Sequence, residues 1–434
     1  MHKANYMLNN NLFDQYMMTM NFLNEISIEF PDAVSFGSGR PDKNFFNVKD
    51  VVSGFFSTAN KKLSVNNEEE FINDVGQYNR TNGIINDAIS RLLLNDENIK
   101  ADADDIIITV GAQEGMAIVI NTLFNPGNQN EVILVSDPSY IGFVGYAKIL
   151  GITVIAIERD EDGINLEDIE NTIIYLKKNG KIPKLLYEVV DFHNPTGAYM
   201  SLEKREKLIE LARAHDFLIV EDNPYGYYRY DVEKIPTLKS LDRHKCVIYL
   251  GSFSKTIFPS IRIGYLVIDQ TMKNEHGNIR LVDECKKTKS YITVNTPNIL
   301  QVMVEDLLVR NEYSLLSWCQ PRVDGCRRSR DAMIEAMEHF FPISESWTEG
   351  IKWHVPKGGF FLIMDIPFRM TNQLLRECVK DYGVIVCPIS FFYLTPEREN
   401  RQIRLAFSNT SKLLIREGLL RLAKFIKAKR KIVG

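Results

Sequence analysis

The chain has 434 residues, 45% hydrophobic and 25% charged, with a formal net charge of -4. That length points to two or three domains rather than one small core, and the composition offers neither a basic face for nucleic acid nor an apolar run long enough to span a bilayer. The six cysteines (Cys246, Cys285, Cys319, Cys326, Cys378, Cys387) contain no Cys-x-x-Cys pair and no nearby His cluster, which suits reduced, mostly buried thiols of a cytoplasmic protein and argues against a disulfide frame or a metal site.

The opening Met1-His2-Lys3-Ala4-Asn5 carries no secretory pattern. From Leu12 to Phe30, Phe13, Met17, Met20, Phe22 and Ile26 form a loose helical stripe, expected to pack an N-terminal arm against the body. Ser35-Phe36-Gly37-Ser38-Gly39-Arg40-Pro41-Asp42 is a Gly-rich turn whose bare backbone can approach a ligand; taken alone it reads equally as a connecting loop. Tyr78 precedes a second turn ending in Asn82-Gly83, which leads into a helical segment with Ala88, Ile89, Leu92 and Leu93.

Ile106-Ile107-Ile108-Thr109-Val110 is a β-branched run that breaks at Gly111-Ala112-Gln113-Glu114-Gly115 and continues with helical spacing through Val119 and Leu123. A strand turning on small residues into a helix aims free N–H groups at one point, a ready anion site. Further strands are predicted at Val132–Val135, ending in Asp137-Pro138-Ser139-Tyr140, and at Val154–Ile157, followed by acidic residues around Asp160 and Asp168 that read as a solvated face. Leu185–Val190 runs into His193-Asn194-Pro195-Thr196-Gly197, and Phe217–Val220 into Glu221-Asp222-Asn223-Pro224-Tyr225, with a helix carrying Leu208, Leu211 and Ala212 between them. Strands alternating with helices, each strand ending in a polar turn, describe an α/β sheet with its ligand beyond the carboxyl ends of the strands.

Cys246–Leu250 is a buried-strand pattern that delivers Gly251-Ser252-Phe253-Ser254-Lys255-Thr256, and Arg262 follows. A lysine among hydroxyls with an arginine close behind suits an amine nucleophile beside a phosphate cup, although Ser-x-Ser-Lys alone also fits a solvated turn. Tyr265–Ile268 predicts a last strand, and helical patterns run from Asn278 to about Met337. Beyond Trp353 the pattern changes to an α+β unit, with strands at Gly358–Met364 and Ile403–Ser408. Its final helix turns Ile415, Leu419, Leu422 and Ile426 inward and ends in Lys427, Lys429, Arg430 and Lys431, read as solvated.

Jointly the strand-end turns hold the groups a pyridoxal phosphate (PLP) site needs. Asp222 suits the carboxylate partner of a protonated ring nitrogen. Tyr225 and Asn194 suit the ring oxygen, Tyr140 a stacking face, Ala112, Gln113, Ser252 and Ser254 the phosphate, and Arg262 its counter-charge.

From about Ser35 onward the chain resembles the fold-type I PLP-dependent class I/II aminotransferases, in particular the kynurenine and 2-aminoadipate aminotransferase branch. The motifs that carry the likeness are the Gly-rich loop, Tyr78, Gly111-Ala112-Gln113, Asp137-Pro138-Ser139-Tyr140, Asn194-Pro195-Thr196-Gly197, Asp222 with Tyr225, Ser254-Lys255, Arg262 and Arg404. The resemblance implies a large α/β domain with a mostly parallel seven-stranded sheet plus a small α+β domain. The expected division is an N-terminal arm with part of the small domain over 1–60, the PLP-binding domain over 61–310, and the small C-terminal domain over 311–434. It further implies a homodimer in which Tyr78 reaches the partner's cofactor phosphate, Lys255 as the Schiff-base lysine and proton shuttle, and Arg404 as the residue holding the substrate α-carboxylate. Gly39, Arg40 and, besides its place at the ring oxygen, Asn194 fall on the substrate side.

Two departures stand out: Ser260 replaces a common glycine, and Arg40 replaces an aliphatic residue. Arg40 either binds a polar or acidic substrate side chain or pairs with Asp32 or Asp42. The expected reaction is ping-pong transfer of an amino group from an L-amino acid to a 2-oxo acid such as 2-oxoglutarate. Elimination, cyclisation or oxygen chemistry on the same cofactor is the alternative. A ligand-sensing regulator is disfavoured, because the motifs begin within about forty residues of the start and leave no room ahead of them for a DNA-binding domain.

Overall fold

The computed structural model describes residues 8–64, 68–274, 277–395 and 401–433. The opening Met1-His2-Lys3-Ala4-Asn5 lies outside the described residues, as do the side chains of Met20 and Lys431.

Seven strands form the central sheet: β1 (Ile106–Thr109), β2 (Glu131–Ser136), β3 (Thr153–Ile157), β4 (Ile182–Glu188), β5 (Leu218–Asp222), β6 (Val247–Ser252) and β7 (Gly264–Val267). Their spatial order is β1-β7-β6-β5-β4-β2-β3. Every pairing is parallel except those of β7, which runs antiparallel to both β1 and β6. All residues of β1, β2 and β7 are buried, as expected of apolar runs covered on both faces. Two cores result: Ile133 and Leu185 join one, while their neighbours Leu134 and Leu186 point to the other, under the helices Leu166–Lys178 and Leu202–His215. The first of those helices is set by its ends, with the Asn165 side chain accepting from Asp168 N, acids in its first turn and lysines in its last.

A four-stranded antiparallel sheet (Lys352–Trp353, Phe361–Asp365, Gln402–Ala406, Cys387–Pro388) forms the C-terminal unit. Val34–Ser35 pairs in parallel with Val384–Ile385, so the segment ahead of the large sheet is tied to the unit behind it. The closing helix Lys412–Val433 buries Ile415, Leu419, Leu422 and Ile426 as expected.

Several local expectations change. Residues 278–280 belong to a hairpin (Thr271–Asn274 with Gly277–Arg280), and the helices begin only at Leu281. Polar hairpin strands lack the alternation that reveals a half-buried strand. The strand expected from Gly358 starts at Phe361, because Gly359 takes φ of 72° and turns the chain first. In the N-terminal stripe Ile26 is buried and Met17 and Phe22 are half-buried, but Phe13 is exposed, lying ahead of the helix Gln15–Glu29 that Asp14 caps; Tyr16, outside the stripe, is buried as well. The terminal cations are paired rather than free: Lys429 contacts Glu377, Arg430 lies 3.2 Å from Glu349, and Lys427 lies 4.0 Å from Glu345. The acidic stretch is solvated as expected at Asp160, Glu161 and Asp162, which are exposed, while Lys204 bonds Asp160 and Asp162, and Asp168 accepts from Glu158 N at 2.7 Å. Partners distant in sequence leave no mark on local charge patterning.

Candidate active site

Beyond the carboxyl ends of the parallel strands lies a cavity of about 620 Å³. At the end of β1, Gly111 opens the helix Gly111–Leu123 with φ of 73°. The torsion favours glycine, and a Cβ there would lie 2.1 Å from Arg262 Nη2 and displace that guanidinium. The N-cap residue Val110 offers no side-chain acceptor, which leaves the first-turn N–H groups around Ala112 and Gln113 as donors in the cavity wall, at the positive end of the helix dipole.

Arg262 closes the same corner. Its Nη1 donates to Ser254 Oγ at 3.2 Å and its Nη2 to Val110 O at 3.2 Å. Ser252 Oγ accepts from Ser254 N at 3.2 Å, so its own proton is free to donate. The corner therefore combines hydroxyls, a guanidinium and a helix N-terminus, a donor set that suits a phosphate group.

Lys255 projects from the turn after β6 and donates from Nζ to Gly39 O at 3.0 Å. Loss of solvation is the main reason its pKa falls, to about 8. Arg404, Arg262 and Arg40 push the same way and Asp222 opposes them. Asp222 ends β5. Its Oδ2 accepts from the Tyr187 hydroxyl at 2.6 Å, while the buried Oδ1 has no partner. Burial lifts this carboxyl to about 7, against the Tyr187 hydrogen bond and the Lys255 charge, which hold it down. Burial also raises the Tyr140 phenol to about 12 and moves Tyr225 up strongly, so both remain neutral donors.

Arg404, from the small sheet, enters the cavity between the rings of Phe361 and Phe392, 4.4 and 4.8 Å from their centroids. Nη1 donates to Asn194 Oδ1 at 2.7 Å, Nη2 donates to Gly37 O, and the buried Nε is unpartnered. With its oxygen thus engaged, Asn194 offers the cavity its amide N–H groups. Arg40 lies at the rim with no hydrogen bond or ion pair from its guanidinium among the described residues, and Asp42 Oδ1 instead accepts from Asn44 N at 2.9 Å.

Every residue expected to hold cofactor or substrate lines this one cavity except Tyr78, which is 78% exposed and lies outside it. The sequence reading missed Tyr187, hidden inside an apolar strand, the two rings flanking Arg404, and Ser27 of the N-terminal helix with Phe30 just after it, which line the cavity too. A tyrosine at an otherwise aliphatic strand end was the only available signal for the first.

The model of the family "Aminotransferase class I and II" matches residues 59–422. The chain belongs to this family. Among curated relatives, this aminotransferase is 34% identical over 427 residues to the (S)-3,5-dihydroxyphenylglycine transaminase of Amycolatopsis orientalis, covering 97% of this chain and 94% of that one. It is 30% identical to the aromatic-amino-acid aminotransferase 1 of Thermococcus litoralis, over 93% of this chain and 90% of the other. Among solved structures, the Pyrococcus horikoshii kynurenine aminotransferase in complex with PMP superposes with a TM-score of 0.82 at 29% identity, over 98% of this chain and 97% of that one. The protein is thus a fold-type I, PLP-dependent aminotransferase of the kynurenine/2-aminoadipate branch, acting on an amino acid and a 2-oxo acid. The cavity fits the cofactor: it presents a buried carboxylate oxygen without a partner, an amine of lowered pKa and a phosphate-shaped donor corner. Among the described residues no helix is long and apolar enough to cross a membrane.

Proposed function

We propose that Lys255 is the residue that carries the cofactor covalently, with Ala112, Gln113, Ser252, Ser254 and Arg262 holding its phosphate, Tyr140 its ring face, Tyr225 and Asn194 its ring oxygen, and Asp222 its ring nitrogen. The observation that carries this reading is the unpartnered Asp222 Oδ1 in the same cavity as Lys255 Nζ. Bound PLP supplies an electron sink for negative charge developing at the substrate Cα. Arg404 binds the α-carboxylate in a bidentate fork, for which each of its Nη atoms keeps one uncommitted N–H, and so orients the Cα–H bond. Lys255 Nζ is the base for that proton, and a pKa near 8 leaves it a sizeable free-amine fraction at working pH.

Arg40 is the charge left without a task. Lys255, Arg262 and Arg404 in the cavity wall are taken by the cofactor, its phosphate and the α-carboxylate, which leaves Arg40 to meet a second carboxylate on the amino acid or on the 2-oxo acid. This supports 2-oxoglutarate as acceptor, with Gly39 beside it. Purified PLP-loaded protein is to be mixed with a panel of amino acids, then with 2-oxo acids, following 2-oxo acid formation together with the cofactor spectrum. Conversion by a donor and recovery of the starting spectrum with 2-oxoglutarate is expected; recovery only with monocarboxylic oxo acids refutes the acceptor. Release of ammonia or of a dehydrated product without amine transfer would favour the eliminating alternative.

The working unit in this reading is a homodimer. Tyr78, Tyr291, Ile292 and Val294 are exposed apolar side chains in segments flanking the N-terminus of the helix Asn298–Arg310, as a buried subunit contact would need. Tyr78 would then serve the partner's phosphate site. The division at about 60 and 310 belongs to the same proposal; the pairing of Val34–Ser35 with Val384–Ile385 supports a small domain built from both ends. A cytoplasmic location is part of it too, and the six buried, unpaired cysteines suit a reducing compartment.

A further inference from the structure

Tyr187 lies in β4 and Asp222 at the end of β5, adjacent strands whose register pairs Tyr187 with Val220. The Tyr187 hydroxyl is therefore two residues short of the carboxylate along the strand and reaches it at 2.6 Å. The Tyr187 ring is buried and is held flat on Phe143, with centroids 4.0 Å apart and planes within 11°. Its hydroxyl has one acceptor, Asp222 Oδ2, whereas Oδ1 faces no donor.

We propose that Tyr187 is a positioning residue for the cofactor ring: by donating to Oδ2 it favours the ionised Asp222 carboxylate, holds its orientation and leaves Oδ1 as the one acceptor for the ring nitrogen. The proposal rests on the reading that Asp222 serves that nitrogen. A carboxylate with two open oxygens in a buried site can rotate, or take up a proton to relieve its desolvation; a fixed donor on one oxygen opposes both. The other titratable groups around Asp222 do not replace it. Lys255 acts only by charge and its amine is engaged by Gly39 O, while Tyr140 and Tyr225 act on the carboxylate without a hydrogen bond to it. Ring-nitrogen protonation, on which the electron sink depends, would then be set by a phenol that never touches substrate.

The test is the protonation state of bound cofactor, read from the nitrogen-15 signal of ring-labelled PLP, with PLP affinity of the apoenzyme measured across pH 5.5–8.5, for the parent, Tyr187→Phe and Asp222→Asn. Phenylalanine keeps the stack on Phe143 and removes only the donor. Expected for Tyr187→Phe are a ring signal displaced toward the unprotonated position at neutral pH, PLP affinity lowered roughly tenfold, and an acidic limb of the affinity profile moved upward. Phe143→Leu, which loosens the stack but keeps the hydrogen bond, should leave the ring signal in place. Should Tyr187→Phe fold poorly, 3-fluorotyrosine at position 187 gives a stronger donor of nearly the same shape and should move the acidic limb downward. An unmoved ring signal in Tyr187→Phe, an unmoved limb with fluorotyrosine, or equal displacement in Phe143→Leu overturns the proposal. If Asp222→Asn also leaves the ring signal unmoved, the underlying assignment of Asp222 fails with it; if only Tyr187→Phe does, that assignment stands.

Discussion

Burial at Asp222 trades stability for chemistry, and the trade has a definite sign. Its carboxyl is raised from the ordinary 3.8 to about 7, chiefly by loss of solvation, so ionising it opposes folding of the apoenzyme. The stability it contributes is complete below about pH 3.8 and is lost as the pH rises through about 7; at 1.36 kcal/mol per pH unit the loss approaches ~4 kcal/mol. The apoenzyme of Asp222→Asn, which can still accept from Tyr187, should be more stable than the parent by roughly 2–4 kcal/mol at pH 8 and by almost nothing at pH 4, measured by urea unfolding. Arg404 gives a second prediction at this scale. Lysine cannot reproduce two parallel donors between Phe361 and Phe392, so Arg404→Lys should lower kcat/KM for every amino acid by roughly 100-fold, the signature of a lost common carboxylate contact. Arg40→Leu should instead discriminate, reducing kcat/KM for glutamate about tenfold while sparing leucine, because a rim charge acts only on substrates that carry a complementary one. Equal losses for both substrates would remove Arg40 from the specificity of the site. Arg404 and Lys255 were legible in the sequence as motif positions. The partners that tune them were not, since Gly37 and Gly39 reach them from more than 200 residues away.

The phosphate corner depends on an ion pair inside its own helix framework. Glu114, in the first turn of Gly111–Leu123, accepts from Val110 N and receives Lys289 Nζ at 3.0 and 3.1 Å from the helix Leu281–Ile292, with Lys289 fully buried. A bare carboxylate there would stand beside the donors meant for a phosphate, so Lys289 neutralises it while Glu114 fixes the turn whose Val110 carbonyl holds Arg262. Lys289→Met should cost about 3–5 kcal/mol of apoenzyme stability and weaken PLP binding, and adding Glu114→Gln should restore most of both, because the penalty of the single change is an unpaired buried charge. Failure of the double variant to recover would show that Lys289 acts by packing. At this scale the sequence was informative about the strand–turn–helix at 106–123, where β-branched residues give way to glycine and then to helical spacing. It was silent about the pair, since 175 residues separate Glu114 from Lys289.

For the whole molecule, the proposed dimer makes the strongest demand. Tyr78 is exposed and apart from the cavity of its own chain, so Tyr78→Ala should weaken PLP binding only where a second subunit is present. Hybrid dimers of Tyr78→Ala and Lys255→Ala should regain part of the activity that each homodimer lacks, one of their two sites being intact; no recovery would mean that Tyr78 serves its own chain or none. The sequence by itself determined the alternation of apolar runs and polar turns, hence an α/β sheet with chemistry at the strand ends, and the residue types waiting there. Those follow from local rules: side-chain periodicity, glycine torsions and the reach of a few residues along the backbone. Only the tertiary structure decided that Arg404 meets Asn194, that Tyr187 takes one oxygen of Asp222, that Lys289 cancels Glu114, and that Lys429 of the last helix meets Glu377. Each of these is a contact between segments that share no local pattern, and its strength comes from the water that folding excludes around it.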